Sequence, residues 1–209
     1  MTTNDEQQYR FTNDWFGVAR PIWSNLIPQI NPTKILEIGS YEGASTCFLI
    51  DTLGKTKPIE LHCVDTWEGG VEHKGTDMES VEDRFRHNTN TAIESVAHKV
   101  ELVIHKGFSD YELSKLIASD KSQYFDFIYV DGSHQAPDVI SDAILSFKLL
   151  RVGGVIAFDD YLWAENLPYG IDPVRCPKPA IDAFTNIFCR KIRIIQAPLY
   201  QLYVQKTVA

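Results

Sequence analysis

Apolar positions in this chain come in short, nearly continuous runs, and the stretches between the runs show helical spacing. Lys34–Ile38, Leu61–Asp65, Val100–His105, Phe125–Val130 and Val155–Phe158 are rich in β-branched and aromatic residues. That pattern predicts strands buried on both faces of a sheet. Gly43–Leu53, Met78–Asn88, Ser109–Ser119 and Pro137–Leu150 lie between or after them with the spacing of amphipathic helices. Trp15–Ile30 has the same spacing, with Pro21 dividing it into a short turn and a helix that begins there. The alternation of strand and helix predicts an α/β, doubly wound parallel sheet with right-handed crossovers. The tail differs. Pro179–Phe188 reads as a helix, and KIRIIQ and LYQLYVQ then follow with only Ala197 and Pro198 between them. So short a link predicts antiparallel pairing. The expected fold is a Rossmann-like seven-stranded sheet closed by an antiparallel C-terminal hairpin. Residues 1–30 are expected as an N-terminal helical extension and 31–209 as the main domain.

Composition narrows the function. Twenty Lys and Arg against 28 Asp and Glu give a net charge of -8. An acidic chain without a basic run disfavours nucleic-acid and membrane-surface partners and favours a small-molecule substrate. Cys47, Cys63, Cys176 and Cys189 form no CxxC pair and suit free thiols in a reducing compartment. No signal peptide or membrane span is read, so a cytoplasmic location is expected.

The chemistry sits where the strands end. FDFIYVD stops at Asp131, and GGVIAFDD stops at Asp159 and Asp160. In an open α/β sheet the carboxyl ends of neighbouring strands share one ligand crevice. If these two strands are neighbours, three carboxylates converge, each close pair repelling by roughly 4 kcal/mol at about 4 Å and an effective dielectric near 20. Such a cluster takes up a proton or holds a cation. Its hard oxygen donors suit Mg²⁺, with Mn²⁺ or Ca²⁺ in its place. The alternative is that Asp131 serves only a cofactor and the other two cap a loop.

At the opposite side of the crevice, LEIGSYEGAS follows the first strand and opens a helix. Gly39 suits a tight turn and Gly43 a helix start. The spacing is not the G-x-G-x-x-G of dinucleotide binders. Glu37 places a carboxylate before the turn, which suits a cationic amine or sulfonium better than a pyrophosphate. Asp65 ends the second strand, where an acid can accept from ribose hydroxyls.

LEIGSYEGAS resembles the first motif of catechol-type, metal-dependent O-methyltransferases. VDTWEGG followed by EH, and YVDGSH followed by GGVIAFDDY, resemble the methyltransferase-24 and macrocin-type sugar O-methyltransferase group. Both belong to the class I S-adenosylmethionine-dependent methyltransferases. The resemblance covers Lys34 to Tyr161. It implies that Glu37 lies near the cofactor amine or the first motif's backbone, and that Gly39, Tyr41 and Ser45 contact the methionine part. It implies Asp65 on the ribose, Thr66 or Trp67 over the adenine, and Gly107, Phe108, Ser109 and Asp110 at the adenine edge. Asp131, Asp159 and Asp160 match the metal ligands. His134 stands where catechol-type enzymes carry a lysine base. An imidazole can take a hydroxyl proton near neutrality, though a helix-entry or supporting role fits it too. Ser133 stands where the sugar-modifying relatives carry an acid.

Some residues keep two readings. Ser109-Asp110-Tyr111-Glu112 reads as a capping box as well as a ligand edge, and Trp67 as a packed aromatic as well as a cover. His73 reads as lining the substrate pocket; the other histidines show no ligand spacing. Trp15, Phe16 and Trp23, and the loop from Trp163 to Pro179, either cover the site, join subunits of a homodimer, or pack in the core. The expected function is methyl transfer from S-adenosylmethionine to oxygen of a small hydroxylated acceptor such as a sugar, polyol or catechol. The alternatives are a cofactor-binding but inactive partner subunit and a nicotinamide oxidoreductase.

Overall fold

The computed structural model describes residues 8–209, so the first seven residues of the expected N-terminal extension lie outside the described residues. A short 3₁₀ turn at Trp15–Val18 leads into helix α1 (Arg20–Ile30), with Pro21 in its first turn as expected. The core then alternates: β1 (Lys34–Ile38), α2 (Ala44–Leu53), β2 (Ile59–Asp65), α3 (Met78–Ser95), β3 (Val100–Lys106), α4 (Ser109–Ala118), β4 (Phe125–Val130), α5 (Ala136–Leu149) and β5 (Leu150–Phe158). Helix α6 (Lys178–Ile187) and strands β6 (Ile192–Ile195) and β7 (Leu202–Lys206) complete it.

One seven-stranded sheet runs in the order β3-β2-β1-β4-β5-β7-β6. The first five strands are parallel, and β7 is antiparallel to both β5 and β6. The Rossmann-like fold with an antiparallel tail is therefore present. Side chains alternate across the strands, which gives two cores. Ile35, Cys63, Phe127, Tyr129, Ala157 and Tyr203 face α1, α2 and α3, whereas Leu36, Val64, Ile128, Val130, Phe158 and Val204 face α4, α5 and α6. Trp23 of α1 is fully buried, its ring 5.2 Å from Phe127 and 4.8 Å from Tyr129. Phe16 is buried with it, so of the three N-terminal aromatics only Trp15 is exposed. Among the described residues, no helix is long and apolar enough to cross a membrane.

Strands β2 and β5 begin two and five residues earlier than expected, at Ile59 and Leu150, and two helices also differ. Helix α3 runs on past Asn88 to Ser95, because Thr89 and Ala92 continue its buried stripe among polar neighbours. Helix α4 has no capping box. Its N-cap is Phe108, without a side-chain cap, and Glu112 turns to Lys115 at 2.8 Å instead of back to the helix start. The charged partner on the next turn wins over the backbone N–H.

Candidate active site

β4 and β5 are neighbours, with Val130 paired to Phe158. The Asp131 N–H donates to the Ile38 carbonyl and the Asp159 N–H to that of Val130. The ends of β1, β4 and β5 therefore stand level, and the loops after them share one edge. Gly39 has φ +82°, and a Cβ there would lie 1.9 Å from the Asp131 carbonyl oxygen. No other residue fits that crossing.

Glu37 does not face the crevice. It is fully buried within β1 and accepts from Ser40 Oγ at 2.8 Å, Ser45 Oγ at 2.5 Å, Thr46 Oγ1, and Cys63 Sγ at 3.6 Å. Burial raises its pKa while these donors oppose the rise. The acid expected beside a cofactor amine is a peg beneath the turn, and Ser45 is engaged with it. Asp65 Oδ2 accepts from the backbone N–H of Ser40 at 2.8 Å and Tyr41 at 2.9 Å, and Oδ1 from Trp67 at 2.8 Å. A carboxylate has about four acceptor sites, so three taken leave room for one hydroxyl. Gly43, with φ +82°, is the N-cap of α2.

Trp67 is buried, its ring tilted by 49° at 5.0 Å from Phe85, and it donates to the Tyr41 carbonyl. Its contacts are those of the packed-aromatic reading. Thr66 remains in the loop, its Oγ1 accepting from Glu68 N–H. Gly107 N–H donates to the Asp65 carbonyl, which brings the loop after β3 beside that after β2. Phe108 there is 65% exposed, an aromatic face without a packing role. Ser109 points to the buried Asp142 of α5. Tyr41 stacks on His73 at 5.0 Å, and Trp15 lies 4.9 Å from Tyr41, so these three rings form a group at the mouth.

Sequence reasoning missed Glu42. It is buried and accepts from Thr12 N–H and Oγ1, both at 2.7 Å, and from Arg84 Nε at 2.6 Å, tying the N-terminal segment across the turn.

At the other side, Asp131, His134 and Asp160 each bring one ligand atom within 4.8 Å of the others. Asp160 reaches His134 because its backbone is left-handed at φ +53°, and its Oδ2 lies 2.9 Å from His134 Nε2. Asp159, expected as a third ligand, is turned otherwise. Its Oδ1 accepts from the Asp160 N–H at 2.8 Å and its Oδ2 from the Tyr129 hydroxyl, which also lies 2.9 Å from Asp131 Oδ2. So the structure groups His134, not Asp159, with Asp131 and Asp160. Burial and then the neighbouring carboxylates raise the pKa of both Asp131 and Asp159. Tyr200 adds a hydroxyl on Asp160. The His134 ring lies 4.3 Å from Trp163. Ser133 is a turn residue, bonded to Asp138 at 2.7 Å.

Glycine turn, acid after β2 and carboxylates after β4 and β5 on one sheet edge together define a methyltransferase-type α/β domain. The chain belongs to the methyltransferase-24 family, described as a methyltransferase domain, which it matches over residues 36–161. It is 28% identical over 163 residues to a protein of Dictyostelium discoideum named "Probable caffeoyl-CoA O-methyltransferase 3", covering 78% of this chain and 56% of that protein. It is 24% identical to the caffeoyl-CoA O-methyltransferase of Populus kitakamiensis, covering 82% of this chain and 67% of that one. The chain thus spans little more than half to two thirds of these relatives. Its fold is shared with the O-methyltransferase from Bacillus cereus solved with SAH, at TM-score 0.66 and 19% identity over 94% of this chain and 84% of that one. It is shared as well with TomG from Streptomyces achromogenes solved with SAM, at TM-score 0.64 and 20% identity over 91% and 80%.

Proposed function

We propose that this protein transfers the methyl group of S-adenosylmethionine to a hydroxyl of a small acceptor carrying adjacent oxygens. The observation that carries this reading is the convergence of Asp131, His134 and Asp160 within 4.8 Å at the sheet edge that also holds the glycine turn. The cofactor fits the edge. Gly39 leaves the turn without a side chain, Asp65 keeps one acceptor position for a ribose hydroxyl, and Phe108 offers an exposed ring beside Gly107. Tyr41 and Gly43 would line the methionine part, and Ser109 the adenine edge.

A divalent cation fits the donor set as well. Asp131 and Asp160 supply hard oxygen ligands with His134 beside them, and Asp159 adds charge from behind. When bound, Mg²⁺ would supply Lewis-acid polarisation of the acceptor oxygens. The chain's residues do the rest. They hold the acceptor hydroxyl in line with the sulfonium methyl, a proximity effect worth several kcal/mol. His134 takes the hydroxyl proton, and Asp160 orients its ring. Trp163, against that ring, shields the site from water.

Isothermal titration with S-adenosylmethionine tests the core of the reading; absence of binding, with and without Mg²⁺, overturns it. A panel of catechols, sugars and polyols assayed with and without EDTA tests acceptor class and cation requirement. Replacing His134 with Gln should lower kcat by about 10²–10⁴-fold and remove the acidic limb of the pH–rate profile. A retained limb would remove His134 as the base.

A further inference from the structure

Behind the carboxylates runs a buried chain of polar groups whose direction is fixed by chemistry. The Trp23 indole N–H can only donate. It donates to Gln201 Oε1 at 2.9 Å and lies 3.1 Å from the Tyr203 hydroxyl. Tyr203 donates to the same Gln201 oxygen. With its carbonyl so occupied, Gln201 must turn its amide nitrogen to the Tyr129 oxygen, 3.4 Å away. Tyr129, its oxygen facing that donor, turns its proton to the carboxylates, lying 2.9 Å from Asp131 Oδ2 and in contact with Asp159 Oδ2. Trp23, Gln201, Tyr129 and Tyr203 are all 1% exposed or less. The four come from α1, β4 and the β7 region, so no local turn explains their meeting. The ring alone accounts for the packing, since it lies edge-on against Trp23, so the hydroxyl serves the polar groups on either side of it.

We infer that Tyr129, oriented by Gln201 and Trp23, is a positioning residue that sets the spacing of Asp131 and Asp159 and thereby the protein's affinity for a divalent cation. The inference rests on the cation reading above. One phenol proton bridges two acids that otherwise repel, and a buried phenol is too confined to follow either acid away from the other. Groups that orient metal ligands from behind typically change affinity by about 10–100-fold when removed.

The test is calorimetric titration of Mn²⁺ into the full chain and into Tyr129→Phe and Gln201→Leu, with S-adenosylhomocysteine titrated into each as a control. The expected result is a loss of about 10–100-fold in Mn²⁺ affinity for Tyr129→Phe and a smaller loss for Gln201→Leu, with S-adenosylhomocysteine affinity held within about twofold. A general packing defect would weaken both ligands together, and that outcome overturns the proposal. So does a folded Tyr129→Phe with unchanged Mn²⁺ affinity. If Tyr129→Phe does not fold, Gln201→Leu decides alone, and unchanged affinity there overturns the proposal. A wild-type chain that binds S-adenosylhomocysteine but no Mn²⁺ removes the cation reading itself, which separates that failure from this one.

Discussion

Glu37 near the end of β1 and Asp131 just past the end of β4 lie on neighbouring strands' carboxyl ends, the first fully buried and the second half-buried, and their surroundings are opposite. Glu37 accepts from three hydroxyls and a thiol, and nearby Glu42 from Thr12 and Arg84. Asp131 shares one phenol with Asp159 and has Asp160 as a further like-charged neighbour. A carboxylate whose lone pairs are filled by fixed donors is a structural tie. A carboxylate whose nearest groups are other acids is short of positive charge, and that is what a ligand can bring. The glycine-turn side is built complete; the β4–β5 side is built incomplete. Glu37 is fully buried and Asp131 half-buried, and the donors around each acid explain their different uses more directly than that difference does.

The largest expected effect tests the complete side. Glu37→Leu leaves the hydroxyls of Ser40, Ser45 and Thr46 without their acceptor, and should cost about 3–5 kcal/mol of unfolding free energy by urea titration. A loss under about 1 kcal/mol would mean the turn does not depend on its peg, and the contrast with Asp131 would fall.

Asp142 tests the rule on an acid between the two cases. It is buried on α5, with Ser109 near one oxygen and no partner for Oδ1. Burial raises its pKa from 3.8 to about 7. The folded state thus keeps a proton that the unfolded chain releases. Its contribution is fully present below pH 3.8 and is lost as pH rises through about 7, by up to about 4 kcal/mol at 1.36 kcal/mol per unit. Asp142→Asn should flatten that part of the stability–pH curve and leave the protein more stable than wild type at pH 8. A curve with unchanged slope between pH 4 and 7 would show that the acid ionises freely.

The incomplete side is expected to respond in the opposite sense to Glu37. Asp131→Asn removes a charge from a repelling group, so thermal stability should hold or rise by about 1 kcal/mol. Methyl transfer should fall by more than about 100-fold, beyond what loss of a mere supporting partner costs. A variant that loses stability and activity together would place Asp131 with the structural ties.

Much of this contrast was legible in the chain, though not its sides. The strands could be read because apolar runs end in Asp131 and Asp159, whereas their adjacency is a condition in the sequence that the pairing of β4 with β5 supplies. Tyr129 was open to reading as well, since residues two apart on a strand share a face and so Tyr129 lies beside Asp131. The partners of these residues were not legible. Gln201 is 72 residues from Tyr129 and Trp23 a further 106 away along the chain, and the sheet order β4-β5-β7, with α1 packed on that face, brings them together. Which of Asp159 and Asp160 would face His134 depended on one backbone angle, the left-handed turn at Asp160. Of the two places open to Glu37, the structure shows it on the residues of its own motif, and the hydroxyl-rich S-Y-E-G-A-S-T stretch gives no sign, read linearly, that it folds back on the acid preceding it.

The smallest expected effect marks the edge of the incomplete side. Tyr200 lies in the link between β6 and β7, is 37% exposed, and places its hydroxyl on Asp160. Its backbone carbonyl is bound independently by the Tyr161 N–H at 3.1 Å, so Tyr200→Phe keeps the link and the ring and deletes one donor. A hydrogen bond to a charged group is worth about 1.5–3 kcal/mol when shielded and less at a half-exposed position such as this, and kcat/KM should fall by about threefold to tenfold with stability nearly unchanged. Asp160 would still face His134. If the variant instead loses as much as Asp131→Asn, Tyr200 belongs to the reacting group itself, and the boundary drawn here between acids that need a ligand and the donors that merely steady them has to move outward to include the β6–β7 link.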